Sequence, residues 1–145
     1  MKTQSKFRLL CAASAFAAGC GGEEFPVAQV QGRVVCEAQP VADVFVFFEP
    51  TTEGASALVG KAGMALTAPD GTFTISTFGA DDGAVIGKHR VRVAPREPGA
   101  ECACELNENV DVTNVDVTGD GPNEFEILLK KRRGPAPKVE VEPEE

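Results

Sequence analysis

Stretches in which apolar and polar residues alternate recur along the chain from residue 27 onward. The clearest span residues 27–36, 41–49 and 85–94, where nearly every second side chain is apolar. A period of two is typical of β-strands with one buried face. Weaker strand patterns follow at residues 64–67, 72–77, 110–117 and 123–130. None of these stretches has the three- and four-residue spacing of an amphipathic helix, so the pattern predicts β-structure throughout.

Turn-forming residues separate the predicted strands. Pro69, Asp70 and Gly71 form a tight-turn signal. Residues 119–122 form a second turn, and the broken alternation at 113–114 indicates a bulge or a short turn. Seven short strands with closely spaced turns predict an all-β domain over residues 27–131, a seven-stranded antiparallel β-sandwich.

The strongest strand carries apolar side chains on both faces. Val44, Val46 and Phe48 share the face assigned to the core, whereas Phe45 and Phe47 share the other. Two neighbouring phenylalanines on an outer face indicate a possible partner surface. Two alternatives stay open: the faces could be exchanged, or a loop could cover the pair.

A basic stripe marks the strand at 85–94. Lys88, Arg90 and Arg92 alternate with the apolar face that also holds His89. We expect the stripe to pair with acids on a neighbouring strand, such as Glu124 and Glu126. The alternative is a surface that binds anions or lipid head groups.

The first 19 residues have the pattern of a secretory signal peptide. Lys2, Lys6 and Arg8 make a positive start, and residues 7–18 are mostly apolar or small. The apolar run is too short to span a membrane, which takes about 20 residues. An A-x-A pattern at residues 13–15 leaves plain secretion open as an alternative.

Residues 17–20, Ala-Ala-Gly-Cys, resemble the lipobox of bacterial lipoproteins, with Ala17 where leucine is commonest. The resemblance implies cleavage before Cys20, acylation of its thiol, and a cell-envelope protein anchored in a membrane. Two or more acyl chains give stable anchoring. Residues 20–26 then form the lipidated terminus and tether. In that family aspartate after the cysteine favours the inner membrane, so Gly21 favours the outer one.

Charge and composition narrow the classes of partner. The leader holds three of the 14 basic residues and none of the 22 acids, so the mature chain carries a net charge of −11. Such a protein is repelled by nucleic acid. The chain has no Trp and no Tyr, so stacking on sugars or bases would depend on Phe alone. Residues 132–145 are rich in Pro and Glu and predict a disordered tail.

Several segments together resemble the carboxypeptidase regulatory-like domain, a transthyretin-like (prealbumin-like) β-sandwich. They are residues 30–34, 39–48, 67–73, 82–84, 87–93 and 123–125. The chain departs from the family pattern at His89, where an aromatic is usual, and in the pair Cys102 and Cys104. The resemblance implies a non-catalytic accessory or adhesion-like module. An envelope protein or polymer is a candidate partner, which the sequence does not identify.

Three cysteines remain in the mature domain once Cys20 is acylated: Cys36, Cys102 and Cys104. An oxidising compartment favours a disulfide, which could join Cys36 to either of the other two. The third thiol would be free, paired between molecules, or a ligand. The alternative is an extracytoplasmic metal-binding thiol protein that uses the three cysteines and His89, in which C-x-C spacing suits a soft metal.

No pattern of catalytic residues appears in the sequence. The chain has one His and lacks the nucleophile elbow, the metalloprotease helix and the phosphate loop. Aspartates in loops could bind calcium, but the D-x-D-x-D-G spacing is missing and turns account for them. The sequence therefore predicts neither an enzyme nor a cofactor.

Overall fold

The computed structural model describes residues 25–52, 60–97 and 102–135. Over these ranges the chain is all-β, as predicted, with ten strands and no helix. The strands are β1 (Val27–Ala28), β2 (Val30–Cys36), β3 (Gln39–Pro40), β4 (Val44–Pro50), β5 (Gly63–Leu66), β6 (Thr72–Thr74), β7 (Ala84–Val85), β8 (Gly87–Pro95), β9 (Thr113–Val117) and β10 (Asn123–Leu129). Among the described residues, no helix could cross a membrane. The predicted leader, Cys20 and residues 136–145 of the predicted tail lie outside these ranges.

Two four-stranded sheets build the domain. In one sheet, β2 pairs with β10 on one side and with β3 and β6 on the other. The second sheet has the order β5-β4-β8-β9 and is antiparallel throughout. A short ladder of β1 and β7 accompanies them. The turn at Asp70 and Gly71 therefore carries the chain from one sheet to the other, because β5 and β6 belong to different sheets.

The strands β2 and β10 are parallel, in a register that runs from Val30 opposite Asn123 to Cys36 opposite Leu129. The prediction of a wholly antiparallel arrangement was wrong for this pair. Parallel neighbours need a long crossover connection. Here nearly the whole domain lies between the two strands and supplies it. Alternation of side chains is the same in both pairings, so the sequence pattern did not distinguish them.

Side chains from both sheets form one hydrophobic core. Phe48 of β4 is completely buried, and its ring centroid lies 5.8 Å from that of Phe125 and 6.1 Å from that of Phe73. The inward faces predicted for β2, β4, β8 and β10 are confirmed by burial. The most deeply buried apolar residues include Val30, Val34, Val46, Phe48, Ile75, Val91, Val93 and Ile127. Gly32 is required where β2 and β10 approach, since an added Cβ would collide with the carbonyl oxygen of Phe125.

The domain has two distinct ends. The N-terminal end holds β1, β7 and the first residues of β2 and β10. The disulfide end holds the last residues of these two long strands, Cys36 and Leu129. The second sheet follows the same axis: Val44 opposes Pro95 near the disulfide end, and Pro50 opposes His89 near the N-terminal end.

Candidate partner surface

Phe45 and Phe47 lie on the outer face of β4, where the sequence placed them. Their ring centroids are 6.1 Å apart, and both side chains are partly exposed. On the adjacent strand β5, Leu66 opposes Phe45 and Met64 opposes Phe47. Directly opposed residues of an antiparallel pair lie on the same face. The four side chains therefore form one apolar patch on the outside of the sheet.

The β5 half of the apolar patch is the more exposed. Met64 is 45% exposed and Leu66 is 40% exposed. The sequence marked 64–67 only as a weak strand and did not select these two residues. Their role depends on the pairing of β5 with β4, which joins segments about 20 residues apart. The only indication in the sequence was that the large side chains of Met64 and Leu66 alternate with the small Gly63 and Ala65. In the structure the two small residues are buried and the two large ones are exposed.

A groove runs along the edge of the apolar patch, where β5 of one sheet meets β6 of the other. It encloses about 540 Å³ and is lined on one side by Phe45, Met64 and Leu66. The opposite wall is polar and includes Thr72, Thr74 and Ser76. Among the described strands, β5 is an edge strand with β4 as its ladder partner. An edge strand beside an apolar groove is a geometry that accepts an added extended segment.

Two hydrogen bonds close one end of this edge. The N–H of Met64 donates to the carbonyl of Ser76 at 2.9 Å, and the N–H of Ser76 donates back at 3.0 Å. This single bridge joins the two sheets at their shared border. It leaves the part of β5 around Leu66 as the open end of the edge.

The basic stripe borders the apolar patch on the other side. Arg92 opposes Phe47 across β4 and β8, and Arg90 opposes Glu49. The carboxylate of Glu49 accepts from both guanidinium groups, with an N···O distance of 3.2 Å to Arg90. The expected pairing with Glu124 and Glu126 was wrong, because β10 belongs to the other sheet.

The cysteine pairing left open by the sequence is settled in the structure. Cys36 and Cys104 form the disulfide, with their Cα atoms 5.9 Å apart and a sequence separation of 68. Cys102 is a free, half-buried thiol whose sulfur accepts a weak hydrogen bond from the N–H of Cys104 at 3.4 Å. Closing a loop of this length contributes about 4 kcal/mol in the chain-entropy account.

His89 does not lie beside the cysteines. It is buried near the N-terminal end, with its ring centroid 6.0 Å from that of Phe48. Its Nδ1 is 2.9 Å from the carbonyl oxygen of Gly87, so Nδ1–H is the donor, and its Nε2 is buried without a partner. Burial lowers the pKa of His89, partly offset by that hydrogen bond.

The four proposed metal ligands are therefore not brought together. The sulfurs of Cys36 and Cys104 are bonded to each other, and His89 lies toward the opposite end of the domain. Over residues 25–52, 60–97 and 102–135, no group of three or more His, Cys, Asp or Glu side chains is arranged to hold a metal ion.

Two loop aspartates bind the backbone of their own turns. The carboxylate of Asp82 accepts N–H bonds from Thr77, Phe78 and Gly79 at 2.7, 3.0 and 2.8 Å. Asp70 accepts from the N–H of Thr72 at 3.1 Å and from its hydroxyl at 2.6 Å. These hydrogen bonds lower the pKa of both carboxyl groups. Their role is the turn-forming one expected from the sequence.

The apolar patch and the groove beside it form a surface to which a partner can bind. The apolar patch offers a hydrophobic surface and an open strand edge, and it is bordered by the paired charges of Glu49, Arg90 and Arg92. No protein-family model matches the sequence, and neither the curated proteins nor the solved structures contain a match.

Proposed function

We propose that this chain is a lipid-anchored cell-envelope protein whose β-domain is a non-catalytic binding module. The observation that carries the binding role is the apolar patch of Phe45, Phe47, Met64 and Leu66. These side chains lie together on an outer sheet face, where Met64 and Leu66 are exposed and Phe45 and Phe47 are half-buried. Contiguous exposed apolar side chains rimmed by charges are typical of protein interaction sites.

Two observations support a location outside the cytoplasm. The lipobox-like residues 17–20 follow a charged and apolar leader. The disulfide between Cys36 and Cys104 joins two buried sulfurs, and such bonds persist in oxidising compartments. Acylation of Cys20 then anchors the domain, and Gly21 favours the outer membrane.

We further propose that the domain is a seven-stranded, transthyretin-like β-sandwich of the carboxypeptidase regulatory-like kind. Among the described strands, seven have three or more residues, and the other three have two. Buried residues of the two four-stranded sheets share one core. The turn and strand motifs quoted from the sequence are the remaining support for this assignment.

The partner that fits the groove best is an extended segment of another envelope protein. Such a segment would add to the open edge of β5 near Leu66 through backbone hydrogen bonds. Its alternate apolar side chains would contact Met64 and Leu66, the residues of β5 on the face of the apolar patch. The polar wall of Thr72 and Thr74 would satisfy its polar groups on the other side.

Site-specific photo-crosslinking in the native host tests this role. We expect a benzoylphenylalanine at position 66 to give a discrete protein adduct, and the same group at Leu128 to give none. Leu128 is the matched control because it is 61% exposed on the other sheet. Met64→Glu should abolish the adduct, and Leu128→Glu should leave it. Equal adducts from both positions, or an adduct to a non-protein polymer, would contradict strand addition.

The anchor is tested by intact mass. Mature protein from the host should begin at Cys20 and carry the mass of its acyl chains. An unmodified chain that begins before or after Cys20 would contradict the anchoring proposal.

A further inference from the structure

The position at which the chain enters the domain limits the distance between the domain and the lipid-anchored Cys20. Five residue steps separate Cys20 from Phe25, where the described structure begins. Whatever its conformation, this tether spans at most about 17 Å. The surface around β1 is therefore the part of the domain that an acylated Cys20 holds next to the membrane.

Two large apolar side chains are exposed on this surface. Ile86 is 40% exposed, and its N–H donates to the carbonyl of Pro26 at 2.9 Å, so it lies directly beside the entering chain. Phe78 is 52% exposed, in the loop that leads to Gly83. Gly83 packs so closely on Ala28 of β1 that an added Cβ would collide with it.

The loop that carries Phe78 is held in place. The carboxylate of Asp82 accepts from the N–H groups of Thr77, Phe78 and Gly79. The N–H of Asp81 also donates to the hydroxyl of Ser76 at 2.8 Å. An aromatic side chain that stays exposed on a hydrogen-bonded loop is presented outward by the fold.

We propose that Phe78 and Ile86 insert into the surface of the bilayer in which Cys20 is anchored. This contact rests on the proposed function, since it requires the acylated cysteine. Apolar side chains bind at the boundary between head groups and acyl chains when a second anchor holds them there. The domain then rests on its N-terminal end and directs its disulfide end away from the membrane.

The overall charge of the mature chain opposes binding to anionic lipid, so the proposed contact is an apolar one. Asp81 is exposed in the loop of Phe78, Asp120 is exposed in the turn that flanks Ile86, and Lys61 is exposed next to Gly60, which packs on Phe25. The mature chain as a whole carries a net charge of −11. Carboxylates are repelled by anionic lipids. The proposed contact is therefore stronger on zwitterionic vesicles than on anionic ones, the opposite of a basic membrane-binding surface.

The composition of the chain allows contact with the membrane to be measured by tryptophan fluorescence. The protein has no Trp or Tyr, so one introduced Trp is the sole strong fluorophore. Acylated full-length protein would be prepared with Phe78→Trp, Ile86→Trp or the control Leu128→Trp. Leu128 is more exposed than either and opposes Val35, at the disulfide end. Each variant would be bound to phosphatidylcholine vesicles that contain brominated lipid.

We expect bromine to quench the Phe78→Trp and Ile86→Trp variants at least about threefold more than the Leu128→Trp variant. Phosphatidylglycerol in the vesicles should reduce that difference. If all three variants float with the vesicles but are quenched equally, the contact is refuted and the anchor stands. If none of them floats, the anchor itself is refuted, and the contact with it.

Discussion

The two ends of the domain are held together by different chemistry. At the disulfide end, the covalent bond between Cys36 and Cys104 ties the end of β2 to the segment beside Lys131. At the N-terminal end, the buried amide of Asn123 joins β10 to the backbone at Gln29 and Thr118 by hydrogen bonds. Its Nδ2 donates to the carbonyls of Gln29 at 3.1 Å and Thr118 at 2.9 Å, and its Oδ1 accepts from the N–H of Thr118 at 2.9 Å.

This difference has a physical consequence. A disulfide acts mainly by restricting the unfolded chain, so its contribution grows with the loop that it closes. A buried amide acts in the folded state, by satisfying backbone groups that would otherwise be desolvated and unpaired. The disulfide end is therefore sensitive to reductant, whereas the N-terminal end is sensitive to small changes in side-chain chemistry.

Removal of the disulfide should have the largest effect. We expect Cys36→Ala with Cys104→Ala to lower the free energy of unfolding by about 4 kcal/mol. Urea unfolding monitored by circular dichroism measures this. Reductant should destabilise the wild type by a similar amount and leave the double variant unchanged. Cys102→Ala is the control, and a loss as large as that of the double variant would show that Cys102 takes part in the bond.

Removal of the buried amide should come next. Asn123→Ala leaves the carbonyl of Gln29 and the backbone of Thr118 unsatisfied, and we expect a loss of about 3 kcal/mol. Asn114→Ala, at an exposed position on β9, should cost less than about 0.5 kcal/mol. If the two variants unfold at the same urea concentration, the hydrogen bonds of Asn123 do not hold this end.

Acidification should produce the smallest effect, at the N-terminal end. Burial holds the pKa of His89 below its ordinary value of 6.5, so near neutral and mildly acidic pH the unfolded chain takes up the proton more readily. His89 therefore has little effect on the free energy of unfolding well above pH 6.5, and it lowers that free energy increasingly as the pH falls from there toward the depressed pKa. His89 is the only histidine in the chain.

Unfolding free energies at pH 7.5 and 5.5 measure this effect. We expect the wild type to be less stable at the lower pH, and His89→Leu to lose most of that difference. Disulfide-end variants such as Cys102→Ala should keep the full dependence. An unchanged dependence in His89→Leu would assign it to the carboxylates instead.

The parts of the structure that the sequence predicted are local ones. Alternation assigned Val34, Val46 and Val91 to the core correctly, because the period of a strand depends on neighbouring residues only. The Phe45 and Phe47 face was predicted for the same reason. The split of residues 27–36 into β1 and β2 was missed, since alternation continues through Gln29.

The parts that were missed depend on which strands are neighbours. Glu49 was not selected as the partner of Arg90 and Arg92, because the pairing of β4 with β8 joins segments about 40 residues apart. Met64 and Leu66 were missed for the same reason. The choice between Cys102 and Cys104 also had no local signal, since both lie at nearly the same separation from Cys36.

The parallel pairing of β2 with β10 sets an order of events during biosynthesis. A ribosome makes roughly 5–20 residues per second, N-terminus first. The strand β2 emerges early, but its full-length partner begins at Asn123, about 90 residues later. Contacts so distant in sequence make folding slow. Until the last strand arrives, whether from the ribosome or through an export channel, β2 lacks its full-length partner and its apolar face is open to aggregation.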